Sequence, residues 1–244
     1  MPDILSKQEG PVFEITLNRP DAGNAATDAM ALELTRLVST APDSAQLILL
    51  RGAGTDFCVG RATMGAARPP GHVDGYELRR ANDTVFNAYG AIRKSPIPVI
   101  GVVQGRALGF GCAIAAVCDI TLASDKAVFQ VPEMAHNILP TMVMSSFIDR
   151  VPRKAFTYLV YSQAVVSAER ALSFGIVSDV VPAAKLEDCV RTTVDAILKA
   201  PRPALLGVKE YASRAFNMDT ESAIDFARNL HANINASAAI RQKH

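Results

Sequence analysis

The sequence predicts an α/β chain with an all-helical C-terminal stretch, and three observations carry that prediction. Short segments rich in β-branched residues, most of them close to Gly or Pro, recur up to residue 182. Apolar residues at helical spacing lie between them. From Ala183 onward the strand pattern stops and only helical spacing remains. Strands alternating with helices define an α/β body over 1–182, and 183–244 is then a helical lid or oligomerisation arm.

Taken in order, strands are predicted over 12–17, 46–51, 98–104, 119–123 and 176–181. Leu78, Ala81, Val85, Tyr89 and Ile92 step by 3, 4, 4 and 3, so they form one apolar face of a helix that ends before Pro96. The stretch 66–75, with Pro69, Pro70, Gly71 and Gly75, reads as a loop, either a surface connection or a mobile segment beside a site. Ser167 can cap a short helix that Gly175 stops. Leu186, Val190, Val194 and Ile197 define a further helix, after which Pro201 and Pro203 punctuate the chain. Leu205, Val208, Tyr211, Ala212 and Ala215 predict the apolar face of the next helix, and Ile224, Ala227, Leu230 and Ile234 that of the last. Two such faces following a finished core must bury against that core or against another subunit.

Composition narrows the function class. The chain has 244 residues with 25 Lys+Arg against 24 Asp+Glu, a net charge of +1, which gives it no bulk electrostatic attraction to nucleic acid or an anionic membrane. With 49% hydrophobic and 20% charged residues it is an ordinary packed globule, large enough to need neither disulfide nor metal. Cys58, Cys112, Cys118 and Cys189 contain no CxxC pair and read as small apolar residues in a reducing compartment. The alternative, Cys112 as a nucleophile with His136 as its base, has nothing in the sequence to bring the two together. Residues 1–4 lack the basic and apolar pattern of a signal peptide. The longest apolar stretch, 107–118, is too short to span a bilayer, so a cytoplasmic location is expected.

No P-loop, His-Glu-x-x-His or Gly-x-Ser-x-Gly motif occurs. Gly109-Phe110-Gly111 follows a strand and opens a helix, but Ile114 stands where a dinucleotide fingerprint needs its third glycine. Two strand-to-turn passages are more informative together. One runs from Leu47 to Gly60, Arg61 and Ala62; the other runs from Pro98 through Gly109, Phe110 and Gly111 into an Ala-rich helix. Backbone N–H donors from two such turns, converging on one oxygen in a dry pocket, would form an oxyanion hole. Each turn alone reads as a tight connection.

The residues that carry a family resemblance are Leu17-Asn18-Arg19-Pro20, Phe57-Cys58-Val59-Gly60, Gln104-Gly105-Arg106-Ala107-Leu108-Gly109-Phe110-Gly111-Cys112, Cys118-Asp119-Ile120, Phe129-Gln130-Val131-Pro132-Glu133 and Ala171-Leu172-Ser173-Phe174-Gly175-Ile176-Val177. In this order and spacing, over most of 10–182, the chain resembles the crotonase superfamily of enoyl-CoA hydratases and isomerases. The resemblance implies a crotonase-like ββα spiral core with a helical C-terminal region, assembled as a homotrimer or hexamer. It implies an acyl-CoA thioester as substrate, coenzyme A entering only as part of it, and no metal. It puts the two oxyanion donors at the N–H groups of Arg61 and Phe110, with Gly60, Ala62, Gly109 and Gly111 around them. The chain departs from the family pattern at Arg61, where small residues are common, at Ala62, where Asp is usual, and at Phe110, which interrupts a glycine run.

Family hydratases hold water between two glutamates; the corresponding positions here are Ala113 and Glu133. Ala113 cannot handle a proton. A lone carboxylate suits removal of a proton from one carbon and its return two carbons along, as the resemblance implies for Δ3-Δ2-enoyl-CoA isomerases. Glu133 stands among Val131, Met134, Ile138, Leu139 and Met142, where desolvation favours its neutral form. Its structural alternative is to cap a turn or pair with an arginine. His136 could tune Glu133 or simply be a solvated loop residue, and Asp119 reads as structural, ending the helix that starts near Phe110. Met64, Met142, Met144 and Phe147 are candidate walls of the acyl pocket, equally explicable as core. A hydratase using a substitute second acid, another reaction of the superfamily (thioester hydrolysis, decarboxylation, dehalogenation) and a non-catalytic CoA-thioester-binding subunit stay open. Because the sequence stops at His244, an acyl channel more open than usual is expected unless a neighbouring subunit closes it.

Overall fold

The computed structural model describes residues 1–63 and 74–241. The first hairpin pairs β1 (Ile4–Glu9) antiparallel with β2 (Val12–Leu17). Thr27 then caps α1 (Asp28–Ser39) by accepting a 3.1 Å hydrogen bond from the Met30 N–H. β3 (Leu47–Gly52) is followed by α2 (Gly75–Lys94), whose cap Asp74 accepts from the Tyr76 N–H at 2.8 Å. β4 (Val99–Val103) leads through the short β5 (Arg106–Leu108) into α3 (Phe110–Val117), after which come β6 (Ile120–Ser124) and β7 (Val128–Gln130). α4 (Thr141–Phe147), α5 (Arg153–Ser162), β8 (Val166–Ser167), α6 (Ala168–Ser173) and β9 (Asp179–Val181) complete the strand-bearing part. The chain then runs through α7 (Leu186–Leu198), α8 (Arg202–Arg214), α9 (Thr220–Asn235) and α10 (Ala238–Arg241).

Six strands form one sheet in the order β1-β2-β3-β4-β6-β9, parallel except for the first pair. A second, three-stranded sheet has the order β5-β7-β8. The inner strands of the large sheet are apolar on both faces because both faces are covered. Ile48, Leu50, Val99 and Val103 point into the main core with α1, α2 and α3, while Leu47, Leu49, Ile100, Val102 and Leu122 pack against Leu186, Val190 and Val194 of α7.

Several elements differ from the sequence expectation. Leu78 and Ala81 are exposed, because only the second half of α2, with Val85, Ala88, Tyr89 and Ile92, lies on the core. The strand expected over 176–181 is confined to β9; Ile176 and Val177 are buried in the core before it. In α8 the exposed residues include Val208 and Ala212, and the buried ones are Gly207 and Lys209. Ile234 and Leu230 of α9 pack on Gly207, which explains the shift of the face. Gly75 opens α2, and 66–73 of the predicted loop lie outside the described residues.

Lys209 ties the helical stretch to the sheet. Its ammonium donates to both Asp119 oxygens, at 2.8 and 2.6 Å, and to the Ile92 carbonyl at 3.2 Å. Asp119 Oδ2 also accepts the Val99 N–H at 2.8 Å, at the start of β4. Asp119 is thus a structural residue following α3. Because Lys209 is only 6% exposed, replacing it leaves a carboxylate without its counter-ion in the interior. Lys209→Met should lower unfolding free energy by about 3 kcal/mol in chemical denaturation, and an unchanged midpoint would show that this pair does not anchor α8.

Candidate active site

Three backbone segments meet in front of α3. The first is the run from β3 to Arg61. Cys58 forms a parallel bridge with Ala107, its N–H donating to the Arg106 carbonyl at 3.0 Å and its carbonyl accepting from Leu108 at 2.9 Å. This contact needs Gly111, because a Cβ there would collide with the Cys58 carbonyl. Three residues on, Arg61 bridges Ala26: the Gly60 carbonyl accepts from Ala26 and the Ala62 N–H donates to Ala26, both at 2.8 Å. The pairing uses the groups on either side of Arg61 and leaves its own N–H facing away from Ala26.

The second segment is the β5–α3 turn. Gly109 holds φ +49° and ψ −113°, a conformation essentially confined to glycine, and turns the chain so that Phe110 begins α3. The first intrahelical bond is Ala113 N–H to Gly109 carbonyl at 2.9 Å, so the Phe110 N–H has no intrahelical acceptor. The third segment follows β7. Leu108 pairs with Gln130, and the Gly109 N–H donates to the Gln130 carbonyl at 2.9 Å. That register places Glu133, three residues later, beside the start of α3.

The loop before Cys58 is held by buried polar groups that the sequence reading did not single out. Asn24 is fully buried; its amide donates to the Ala53 and Asp56 carbonyls, both at 2.8 Å, and its oxygen accepts from the Arg19 N–H at 2.8 Å. Asp56 accepts from the Arg106 N–H, Nε and Nη2 at 2.9, 2.9 and 2.7 Å, and the Arg106 guanidinium holds its carboxyl below the usual range. An Asn four residues after the Asn18-Arg19-Pro20 run and an Asp just ahead of Phe57-Cys58 are the signals that could have marked them.

Arg61, Phe110, Glu133 and Met142 line one cavity of about 110 Å³, together with Thr63, Tyr89, Ile138, Leu139, Pro140 and Val143. Gly60, Gly109 and Gly111 shape the backbone around it. Ala62 is exposed, and Ala113 is fully buried within α3 without lining the cavity. Met64 lies outside the described residues. Phe147 is fully buried and Met144 packs on the core, so neither is a wall of this cavity. The Arg61 side chain pairs with Asp28 at the start of α1, which ties its charge to that helix.

Glu133 opens a short 3-10 turn and is 7% exposed. Its Oε2 is buried with no hydrogen-bond partner among the described residues, and no arginine pairs with it there. Burial therefore raises its pKa above the ordinary 4.5. Tyr89, also buried, is pushed well up by burial and next by the Glu133 charge. His136 is exposed, whereas Cys112 is fully buried with its thiol pushed up by burial, so the Cys112–His136 pair is not assembled. Among the described residues no cluster of three or more His, Cys, Asp or Glu could hold a metal. The arrangement puts Arg61 and Phe110, whose N–H groups make none of the bonds just described, on a largely apolar cavity with one poorly solvated carboxylate. It can polarise a carbonyl and move a proton nearby.

The same fold and architecture occur in acyl-CoA enzymes. A crystal structure of an enoyl-CoA hydratase from Mycobacterium smegmatis superposes with a TM-score of 0.91 at 28% identity, covering 98% of this chain and 93% of that one. A putative enoyl-CoA hydratase from Thermobifida fusca, in complex with acetoacetyl-CoA, gives 0.83 at 25% identity, covering 95% and 94%. The short-chain-enoyl-CoA hydratase of Clostridium acetobutylicum is 27% identical, covering 92% of this chain and 86% of its own. The family model described as enoyl-CoA hydratase/isomerase matches residues 7–243. The chain belongs to the enoyl-CoA hydratase/isomerase family of enzymes, within the crotonase superfamily.

The buried carboxyl also makes a stability prediction. A folded-state pKa above the unfolded 4.5 means that the native state holds the proton longer, so its contribution is fully present below 4.5 and is lost as pH rises through the folded value. Glu133→Gln should therefore gain melting temperature relative to the parent as pH is raised from 4 to 8. A constant difference across that range would contradict the burial argument.

Proposed function

We propose that the enzyme acts on acyl-CoA thioesters and moves a carbon–carbon double bond from the Δ3 to the Δ2 position. The carrying observation is that Glu133 is the one carboxylate on the cavity among the described residues, while Ala113 offers only a buried methyl. The thioester oxygen would accept from the N–H groups of Arg61 and Phe110. Glu133 would take a proton from C2 of a 3-enoyl thioester, the electrons moving onto that oxygen as a dienolate. Collapse of the dienolate would then draw the same proton from Glu133 to C4, leaving the 2-enoyl product and the carboxylate restored. Coenzyme A is part of the substrate here, and the residues named need no further cofactor. Family relatives named as hydratases support a second reading, water addition to a 2-enoyl thioester with another group replacing the absent glutamate.

Incubation with a 3-enoyl-CoA should give double-bond migration faster than hydration of the 2-enoyl-CoA; efficient hydration without migration would favour the second reading. Glu133→Gln should lower kcat by about 10²–10⁴-fold with little change in KM. Turnover at the parental rate would remove Glu133 from the chemistry.

The working form proposed is a homotrimer or hexamer. Val208 is 70% and Phe216 84% exposed, apolar surface on the helical stretch that a neighbouring subunit would cover. Sedimentation should give a mass three or six times the 26.0 kDa of one chain, and a stable monomer at micromolar concentration would defeat the proposal.

A further inference from the structure

Resting on the acyl-CoA reading, we propose that the phenol of Tyr89 is a second polar group on the acyl chain, donating a hydrogen bond to an oxygen at C3. The natural occupant of that position would be the oxygen of a 3-hydroxy- or 3-oxoacyl thioester or, under the hydratase reading, the water that adds there. Among the described residues on the cavity, the polar side chains are Arg61, Thr63, Tyr89 and Glu133. Arg61 is engaged by Asp28 and Thr63 is exposed, which leaves Tyr89 and Glu133 as the buried pair.

Three observations separate Tyr89 from an ordinary core tyrosine. It is 3% exposed, yet it lines the cavity rather than being wholly enclosed by the core. A phenol on a cavity wall can spend its hydrogen bond on whatever fills the cavity. Its ring lies against that of Phe110, with centroids 5.5 Å apart and planes 32° apart, so it is seated at the residue whose N–H is the proposed oxyanion donor. Burial and the nearby Glu133 charge both keep the phenol protonated, hence a donor. Glu133 and Tyr89 together give the acyl chain one group that accepts a proton and one that donates a hydrogen bond. The donor comes from α2, so an Ala at 113 does not leave the cavity with a single polar group.

Binding of acetoacetyl-CoA and butyryl-CoA by calorimetry to the parent and to Tyr89→Phe tests this, since only the former carries an oxygen at C3. Tyr89→Phe should weaken acetoacetyl-CoA about tenfold and butyryl-CoA less than twofold, with a melting temperature at or above the parent's. Equal change for the two thioesters, or none, would overturn the assignment while leaving the acyl-CoA reading intact. Failure of both thioesters to bind the parent would overturn that reading and this inference together. A fall in melting temperature with unchanged selectivity would show the hydroxyl to be structural.

Discussion

Where the backbone at Cys58 crosses Gly111 there is no room for a side chain, and the rest of the site depends on that contact. It lets the segment leading to Arg61 run alongside β5 as a further strand, bonded through the Arg106 carbonyl and the Leu108 N–H. The Asn24 amide and the Asp56–Arg106 pair fix the same segment from its other side. Because these restraints are main-chain bonds, a buried amide and a half-exposed ion pair, the backbone leading to Arg61 is fixed before any ligand arrives. Such preorganisation makes fixed dipoles effective, since nothing must reorient as charge develops.

The carboxylate is placed by different means. Pairing of β5 with β7 fixes Gln130 beside Gly109, and the 3-10 turn after Pro132 swings Glu133 under Ile138, Leu139 and Met142. Few polar atoms surround it, and one of its oxygens is unpartnered. An acid kept from water and from cations is a stronger base once ionised than one on the surface, and the apolar wall that has this effect would suit an acyl chain as well.

Much of this was legible in the sequence. The inner strands announce themselves as apolar runs because both faces of the sheet are covered, and Ser167 and Gly175 bracket α6 as their chemistry predicts. The motif residues around Gly60, Gly109 and Glu133 also pointed to one cavity. What escaped is set by tertiary context. Strand β1 is polar and exposed along most of its length, so no alternation marks it. Strands β5, β7 and β8 are two or three residues long and exist only through their mutual pairing. In α8 the periodicity favoured Val208, yet a lysine turns inward because Asp119 waits there for its charge. Tyr89 was visible as one more apolar residue on a helix face; that it shares a cavity with Glu133 is knowable only from the packed structure.

Recognition through the main chain has an evolutionary side. Both donors would act through N–H groups, so the side chains at 61 and 110 are free to diversify without erasing them. Here one is an arginine that clasps the start of α1, and the other a phenylalanine whose ring lies against a tyrosine. Only proline, which has no N–H, would delete a donor outright. Drift at these two positions would therefore remodel the walls of the pocket, and with them the acyl group preferred, while leaving such a carbonyl anchor in place.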